Sequence, residues 1–594
     1  MSLASQAPIH PLLQVVNYES ATDPFAHTLY QEAFLKKNRK AFFSPVTNVD
    51  GSPVLDAQDI AYERLQAPLG VEGYLPESIL VLADYRTAFK DIAGWFTYDR
   101  VSVIRTLVSP DDYDWARWVD FSDPPQVDQS IKSSAATLSL VDNVRPRNRS
   151  VQVVGIPGIG KSLFLIYTLV ERLLLGLETC LQTRANYFTL WCSEGAFDIF
   201  LDDKFEKIIA PMTSRNLLPK GTWYLLDSNK TVSIPCSAIQ DSFVRIVQAS
   251  SPQMKRLEWV MKQSNVRNYR YLMKPPSLNE MKLMKTCQDK DMGLIPDEAI
   301  SDFFNKYGPS ARMLFIHVEC PLAYEQTLRG RMERMGEVAF DVLLKQTKNF
   351  VPDPAGVSHL ILGVYPGSHR QALVVNILTA HIYQLVKDVY GNIWSQKVRE
   401  MYQLLHRNLE TRATTGYIFE DQLYEVLRHG VLWEARELKR SKCDPKNVPY
   451  NHDFSGASRW LYVGQNGTLT DQRFPGTPTQ PDFHYYDADN FTESGLSGYF
   501  RPHLLNRAAY DSYMVNMDEK KVVVFQFTVA KKHDAKESGL DWLEKRYSGF
   551  EVHYVIFTSL PEITVYMPIA FDSFLKTKSQ VVVSEAQLFS RNQV

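Results

Sequence analysis

Residues 151–162 run Val-Gln-Val-Val-Gly-Ile-Pro-Gly-Ile-Gly-Lys-Ser, and no other stretch constrains the fold as tightly. Val151, Val153 and Val154 predict a buried strand. The turn after it has room only for small or turn-forming residues, and an apolar run from Leu163 then opens a helix. The spacing satisfies G-x-x-x-x-G-K-[ST], in which backbone N–H groups surround a phosphate. Lys161 is expected to reach the β- and γ-phosphates and Ser162 to ligate Mg²⁺. The helix that follows turns its positive dipole end toward the anion. A cation at a helix N-terminus is unfavourable without an anion, which argues against a plain strand–helix turn. The expected ligand is therefore ATP with Mg²⁺, held by Gly155, Pro157, Gly158, Ile159, Gly160, Lys161, Ser162 and Leu163.

A chain of 594 residues exceeds what one core supports, so three or four domains are expected. The formal net charge of −2 gives no global attraction to nucleic acid, so such binding needs a local basic face. Six scattered cysteines without a C-x-x-C pair fit buried thiols in a reducing, intracellular setting. No secretory signal is expected at the N-terminus. The longest apolar region, Leu163 to Leu177, contains Glu171 and Arg172 and is too short and polar to span a bilayer.

Four segments follow. Residues 1–130 carry no nameable chemistry; the run 78–96 predicts a helix, and a packing or protein-partner domain is expected. Residues 131–320 alternate strands with helices. VQVVG, ANYFTLWC, TWYLLD and SFVRIVQAS are continuous apolar runs, which suit parallel strands covered on both faces of a doubly wound α/β domain. Residues 321–405 predict helices, including one through QALVVNILTAHIYQLVKDVY. Residues 406–594 open with the helix IFEDQLYEVLRHG and continue to strands KVVVFQFTVA and EVHYVIFTS, separated by the helical SGLDWLEKRY.

A nucleotide site needs a second carboxylate for its metal. Asp227 ends the apolar strand TWYLLD, where such an aspartate belongs, although a strand-end aspartate capping the next helix is the alternative. Ser228 follows it where many ATPases carry a glutamate base, so weak or partner-dependent hydrolysis is expected. Ser250 and Ser251, at the end of SFVRIVQASS, are candidate γ-phosphate sensors. Arg312 follows a turn and is either a cation that stabilises phosphoryl charge or a surface arginine.

The order GIPGIGKS, WYLLDS, SSP, LMKPPSLNEM and KYGPSARMLF resembles the NTPase module of the Crinkler and retrotransposon hot spot proteins. The likeness covers roughly residues 140–320. Tyr307-Gly308-Pro309 stands where the family has two glycines before the arginine turn and an apolar strand, and Ser250 replaces the usual threonine. Members of this family often end in a restriction-endonuclease-like domain with a PD-(D/E)XK core. The resemblance continues there: Gly416, Phe419 and Glu420, then Pro502, Asn506, Asp511 and Tyr513, then Gln526-Phe527-Thr528 with His533 downstream. It implies that Asp511 binds metal, that Glu420 assists, and that Gln526 occupies the place of the second acid. Thr528 takes the place of the lysine, and Lys531 or Lys532 could act instead. One carboxylate and an amide bind Mg²⁺ more weakly than two carboxylates. The resemblance further implies a nuclear site of action.

The expected function is an ATP-switched protein whose nuclease-like C-terminal domain engages DNA, with cleavage left open. The alternative is a non-catalytic, nucleotide-regulated chromatin or protein binder with a degenerate nuclease fold. A small-molecule kinase is a third reading, but nothing in the chain resembles an acceptor lid.

Overall fold

The computed structural model describes residues 10–66, 78–97, 148–209, 217–219, 221–229, 231–251, 256, 259–260, 267–288, 294–346, 358–406, 412–441, 447–453, 455–465, 467–486, 495–502 and 510–590. They divide into two compact units, one ending at Leu385 and the other beginning at Val386. Both are mixed α/β. The boundary expected near residue 130, and Asn506, lie outside the described residues.

The first unit is built on an eight-stranded sheet. Its strands are β1 (Tyr18–Ser20), β2 (Asn148–Val154), β3 (Thr179–Gln182), β4 (Tyr187–Cys192), β5 (Gly195–Phe200), β6 (Trp223–Asp227), β7 (Arg245–Ala249) and β8 (Arg267–Leu272). They lie in the order β1-β5-β4-β3-β6-β7-β2-β8. From β3 to β8 every pairing is parallel. This accounts for the unbroken apolar runs of β2, β6 and β7, which are covered on both faces.

The parallel reading fails for β4. It pairs antiparallel with β3 and β5, and β1 adds a further antiparallel edge. A continuous apolar run reports burial, not strand direction. β8 was missed because it carries two arginines, yet its Tyr269 and Tyr271 alternate inward with period two.

Two helices cover one face near the centre: α1 (Ala83–Thr97) and α2 (Lys161–Leu174). Tyr85 and Phe89 of α1 meet Tyr167 of α2, and Phe89 and Phe96 pack on Trp223 of β6. The run 78–96 is thus a strand, Ser78–Val81, followed by a helix, not one helix. A half-buried Arg370–Asp84 ion pair, with Arg370 also donating to the Leu272 carbonyl at 3.0 Å, ties α1 to the end of β8.

Beyond the sheet come α3 (Leu278–Met284), α4 (Asp297–Tyr307), α5 (Ala311–His317) and α6 (Pro321–Gln346). Arg312 lies in the first turn of a helix, not before the strand implied by the resemblance. Residues 321–405 are mainly helical as expected, but Leu362–Pro366 and Leu373–Ile377 form an antiparallel hairpin. The run at 371–390 splits into that strand and a helix, Ala380–Val389; its first half, Leu-Val-Val-Asn-Ile, is rich in β-branched residues.

The second unit carries a nine-stranded sheet. Its strands are β9 (Val431–Glu437), β10 (Ser458–Val463), β11 (Thr468–Thr470), β12 (Phe483–Tyr486), β13 (Gly498–Pro502), β14 (Ser512–Asn516), β15 (Lys521–Thr528), β16 (Glu551–Thr558) and β17 (Leu575–Val582). The order is β11-β10-β9-β17-β16-β15-β14-β13-β12. β15, β16 and β17 run parallel at its centre, and α7 (Arg412–Arg428) packs against β15 through Tyr424 on Phe527. α8 (Glu537–Arg546) lies between β15 and β16 in the chain, where SGLDWLEKRY predicts a helix. No helix among the described residues is long and apolar enough to cross a membrane.

Candidate functional site

β2 ends at Val154, and the chain turns through Gly155–Gly160 into α2. Gly158 has φ +83° and Gly160 φ +92°, a left-handed backbone that glycine adopts at little cost. The neighbours also demand glycine. A Cβ on Gly158 would lie 2.5 Å from Ser310 Oγ and 2.8 Å from Arg312 Cβ, and one on Gly160 would collide with the Tyr85 hydroxyl.

Three outside groups hold the turn by its carbonyls. Ser310 Oγ donates to Pro157 at 3.0 Å, the Arg312 N–H donates to Gly158 at 3.3 Å, and Tyr85 Oη donates to Gly160 at 2.8 Å. In a trans peptide the N–H points opposite to its C=O. The N–H groups of Gly158, Ile159 and Lys161 therefore turn away from those neighbours. α2 starts at Lys161 with Gly160 as its cap and no side-chain capping bond, so its first-turn amides have no local acceptor of that kind. Ile159 is fully buried and anchors the turn, while Leu163 keeps partial exposure.

Lys161 is 9% exposed. Its Nζ donates to the carbonyls of Gly155 at 3.0 Å and Ile156 at 2.8 Å. Burial pushes its pKa down to about 7, and the Arg312 guanidinium adds to that, while Asp227 acts in the opposite direction. Ser162 Oγ donates to Asp227 Oδ1 at 2.8 Å. Burial raises the Asp227 pKa, against the Ser162 hydrogen bond and the charges of Lys161, Arg312 and Arg256. Three cations thus surround one carboxylate, an excess of positive charge that suits a polyanion.

Ser250 sits at the end of β7, between β6 and β2. Its N–H donates to Val153 O at 3.0 Å and its Oγ to Ser251 O at 2.7 Å. Arg256 Nη1 donates to Ser228 O at 2.8 Å, directly after Asp227.

The second unit brings together Glu420, Asp511 and Gln526. Gln526 Nε2 donates to Asp511 Oδ2 at 2.7 Å, and the Phe527 N–H donates to the same oxygen through a short bond. Tyr424 Oη donates to Glu420 Oε1 at 3.1 Å and to the Asp511 carbonyl at 3.0 Å, and Arg501 lies over the Tyr424 ring, 3.7 Å from its centroid. Burial pushes Glu420 up to about 7, and burial followed by the Glu420 charge holds Asp511 well above the carboxylate range. Among the described residues no three His, Cys, Asp or Glu side chains are grouped to hold a metal ion. Lys531 is exposed, and its carbonyl accepts from Thr564 N at 2.8 Å, at the start of a short strand, Lys532–Asp534.

No protein-family model matches the chain, and a search of curated proteins finds no relative. Sequence reasoning missed Tyr85, Ser310 and Arg256. Ser310 carried a local signal as the helix cap before Ala-Arg-Met, accepting from Met313 N at 3.4 Å. Tyr85 lies 75 residues from its partner and carried none.

Proposed function

We propose that the first unit binds a nucleoside triphosphate with Mg²⁺ on the Gly155–Leu163 turn, in the manner of a P-loop NTPase. The supporting observation is the Ser162–Asp227 hydrogen bond at 2.8 Å, made beside a buried lysine whose Nζ donates to the loop carbonyls of Gly155 and Ile156. The residues fit the ligand. Lys161 and the loop amides would take the terminal phosphates, Ser162 and Asp227 would take Mg²⁺, and the ion would neutralise phosphate charge. Arg312 and Arg256 supply further charge at the same place. No glutamate follows Asp227, so hydrolysis should be slow without a partner.

The test is calorimetric titration of the whole chain with Mg·ATP. Lys161→Ala should abolish binding that the parent shows. Equal affinity in the two proteins would place nucleotide elsewhere.

For the second unit, the Crinkler-like reading with DNA as ligand has a non-cleaving form as its better version. The Gln526 amide and the Phe527 N–H occupy Asp511 Oδ2, and burial together with the mutual repulsion of Glu420 and Asp511 disfavours two charged carboxylates there. DNA binding that persists in EDTA, with no Mg²⁺-dependent cutting, is the expected result. Cutting that disappears in Asp511→Ala would restore the nuclease reading.

A further inference from the structure

Along the second unit, arginines and aromatic rings form a strip that starts at the Glu420–Asp511 pair. Glu420, Tyr424 and Arg428 fall four residues apart on α7 and so share one face of that helix. Arg501 of β13 lies over the Tyr424 ring, and Arg428 lies over Phe483 of β12, 5.5 Å from its centroid. Phe483 stacks on Tyr499 at 5.3 Å and meets Tyr485 edge-on at 5.0 Å.

The strip continues past the end of α7. A Cβ on Gly430 would lie 2.4 Å from the Thr479 carbonyl oxygen. The Thr479 N–H donates to Tyr462 Oη at 3.5 Å, and Tyr462 stacks on Phe474 with centroids 4.3 Å apart. Arg473, next to Phe474, lies over Trp460 at 5.1 Å.

We propose that this strip binds single-stranded DNA, stacking bases on Tyr485 and Phe474 and holding phosphates with Arg428, Arg473 and Arg501. The proposal rests on the DNA reading of the second unit and names the form of DNA and the surface that takes it.

Two properties select that ligand. The first is uncovered ring. Tyr485 is 50% exposed and Phe474 is 37% exposed, although Phe474 already has Tyr462 against one face. An exposed ring can stack on any base, because every base has a π-face, but a duplex keeps those faces inside its own stack.

The second is charge. Among the described residues, none of Arg428, Arg473 and Arg501 forms an ion pair with a carboxylate; each covers a ring instead. The ring steadies the guanidinium and leaves its N–H groups to a phosphate. Of the nearby carboxylates, Asp471 lies 3.5 Å from Arg459 and Glu434 lies 3.5 Å from Arg436. Asp482, exposed beside Phe483, offsets one of the three charges. The charge of Arg501 also acts on Glu420, which sets this end of the strip at the acid pair.

The experiment measures fluorescence anisotropy of labelled oligothymidylate, of its duplex with oligodeoxyadenylate and of oligouridylate, each with the whole chain in EDTA. Oligothymidylate should bind about tenfold or more tighter than the duplex. Tyr485→Ala and Phe474→Ala should each weaken oligothymidylate about tenfold and leave the duplex unchanged, while Tyr485→Trp keeps the parent affinity. Arg428→Gln and Arg473→Gln should each lower the slope of log affinity against log salt by about 0.7. A duplex that binds as tightly as the single strand, alanine variants that bind like the parent, or glutamine variants with the parent's salt slope overturn the proposal. Oligouridylate binding more than about tenfold tighter than oligothymidylate overturns the choice of DNA. Should an alanine variant fail to fold, photocrosslinking of iodouracil-bearing oligothymidylate to the parent chain decides: attachment at Phe474 or Tyr485 supports the strip, and attachment elsewhere overturns it. Duplex binding without single-strand binding would leave the DNA reading standing and sink this proposal alone; binding of neither would remove both.

Discussion

A lysine buried among carbonyls is an unusual choice for a strand–helix turn, and it makes a measurable claim. With a pKa near 7, Lys161 is mostly neutral at pH 8 in the free protein. A phosphate placed against it favours the charged form and returns the proton. Nucleotide binding at pH 8 should therefore take up close to one proton, and at pH 6 almost none. Calorimetry in buffers of different ionisation enthalpy measures this directly; no uptake at pH 8 would mean either that Lys161 is already charged in the free protein or that it does not meet the ligand. Tyr85 makes a second claim. Its hydroxyl fixes the Gly160 carbonyl, so Tyr85→Phe should lower Mg·ATP affinity about fivefold, or about 1 kcal/mol, while the circular dichroism of the fold stays unchanged. Lys161 and Ser162 were legible because their spacing is local. Tyr85 was not, because nothing near position 85 encodes a partner at position 160.

At the scale of elements, apolar runs revealed which strands are buried but not how they pair. β2, β6 and β7 were readable as strands, as were β15 and β16, since each carries several Val, Ile, Leu or aromatic residues in a short span. The direction of β4 depends on partners distant in sequence, and the hairpin at 362–377 was absorbed into a helix because short apolar runs fit both periods. The convergence of α7 with β14 and β15 was anticipated through Glu420, Asp511 and Gln526, but only by resemblance. That convergence has a pH signature. Glu420, pushed up to about 7, and Asp511, held well above the carboxylate range, both titrate higher in the folded state, so the native protein holds more protons than the unfolded chain, for Glu420 between about pH 4.5 and 7. Stability is therefore fully present below the unfolded carboxylate pKa and falls as pH rises through 7. Denaturant melts of the second unit's transition should lose up to a few kcal/mol across that window, and Glu420→Gln should flatten the loss. A slope of the opposite sign would show that the pair is ionised in the native state. Gln526→Glu carries the argument further. A third acid beside two raised ones should cost about 2–3 kcal/mol at pH 8. Millimolar Mg²⁺ should recover part of that in thermal melts, while leaving the parent protein's midpoint nearly unmoved.

For the molecule as a whole, the question is whether two compact units in one chain act as one device. Two independent modules and a nucleotide switch predict different binding tables. If triphosphate in the first unit changes the DNA affinity of the second by some factor, DNA must change the triphosphate affinity by the same factor, because the cycle of free energies closes. A coupling of 1–3 kcal/mol, the usual range, corresponds to about 5- to 150-fold. Lys161→Ala, by abolishing triphosphate binding, should hold DNA affinity at its nucleotide-free value whatever ATP is added. Fluorescence anisotropy with labelled duplex, with and without saturating Mg·ATP, gives one edge of the cycle, and calorimetry with and without duplex gives the other. Equal, non-zero couplings on both edges support a switch. Zero on both leaves a nucleotide-binding unit and a DNA-binding unit that merely share a chain, and the absence of a catalytic glutamate after Asp227 would then reflect a site that stores nucleotide without transmitting its state.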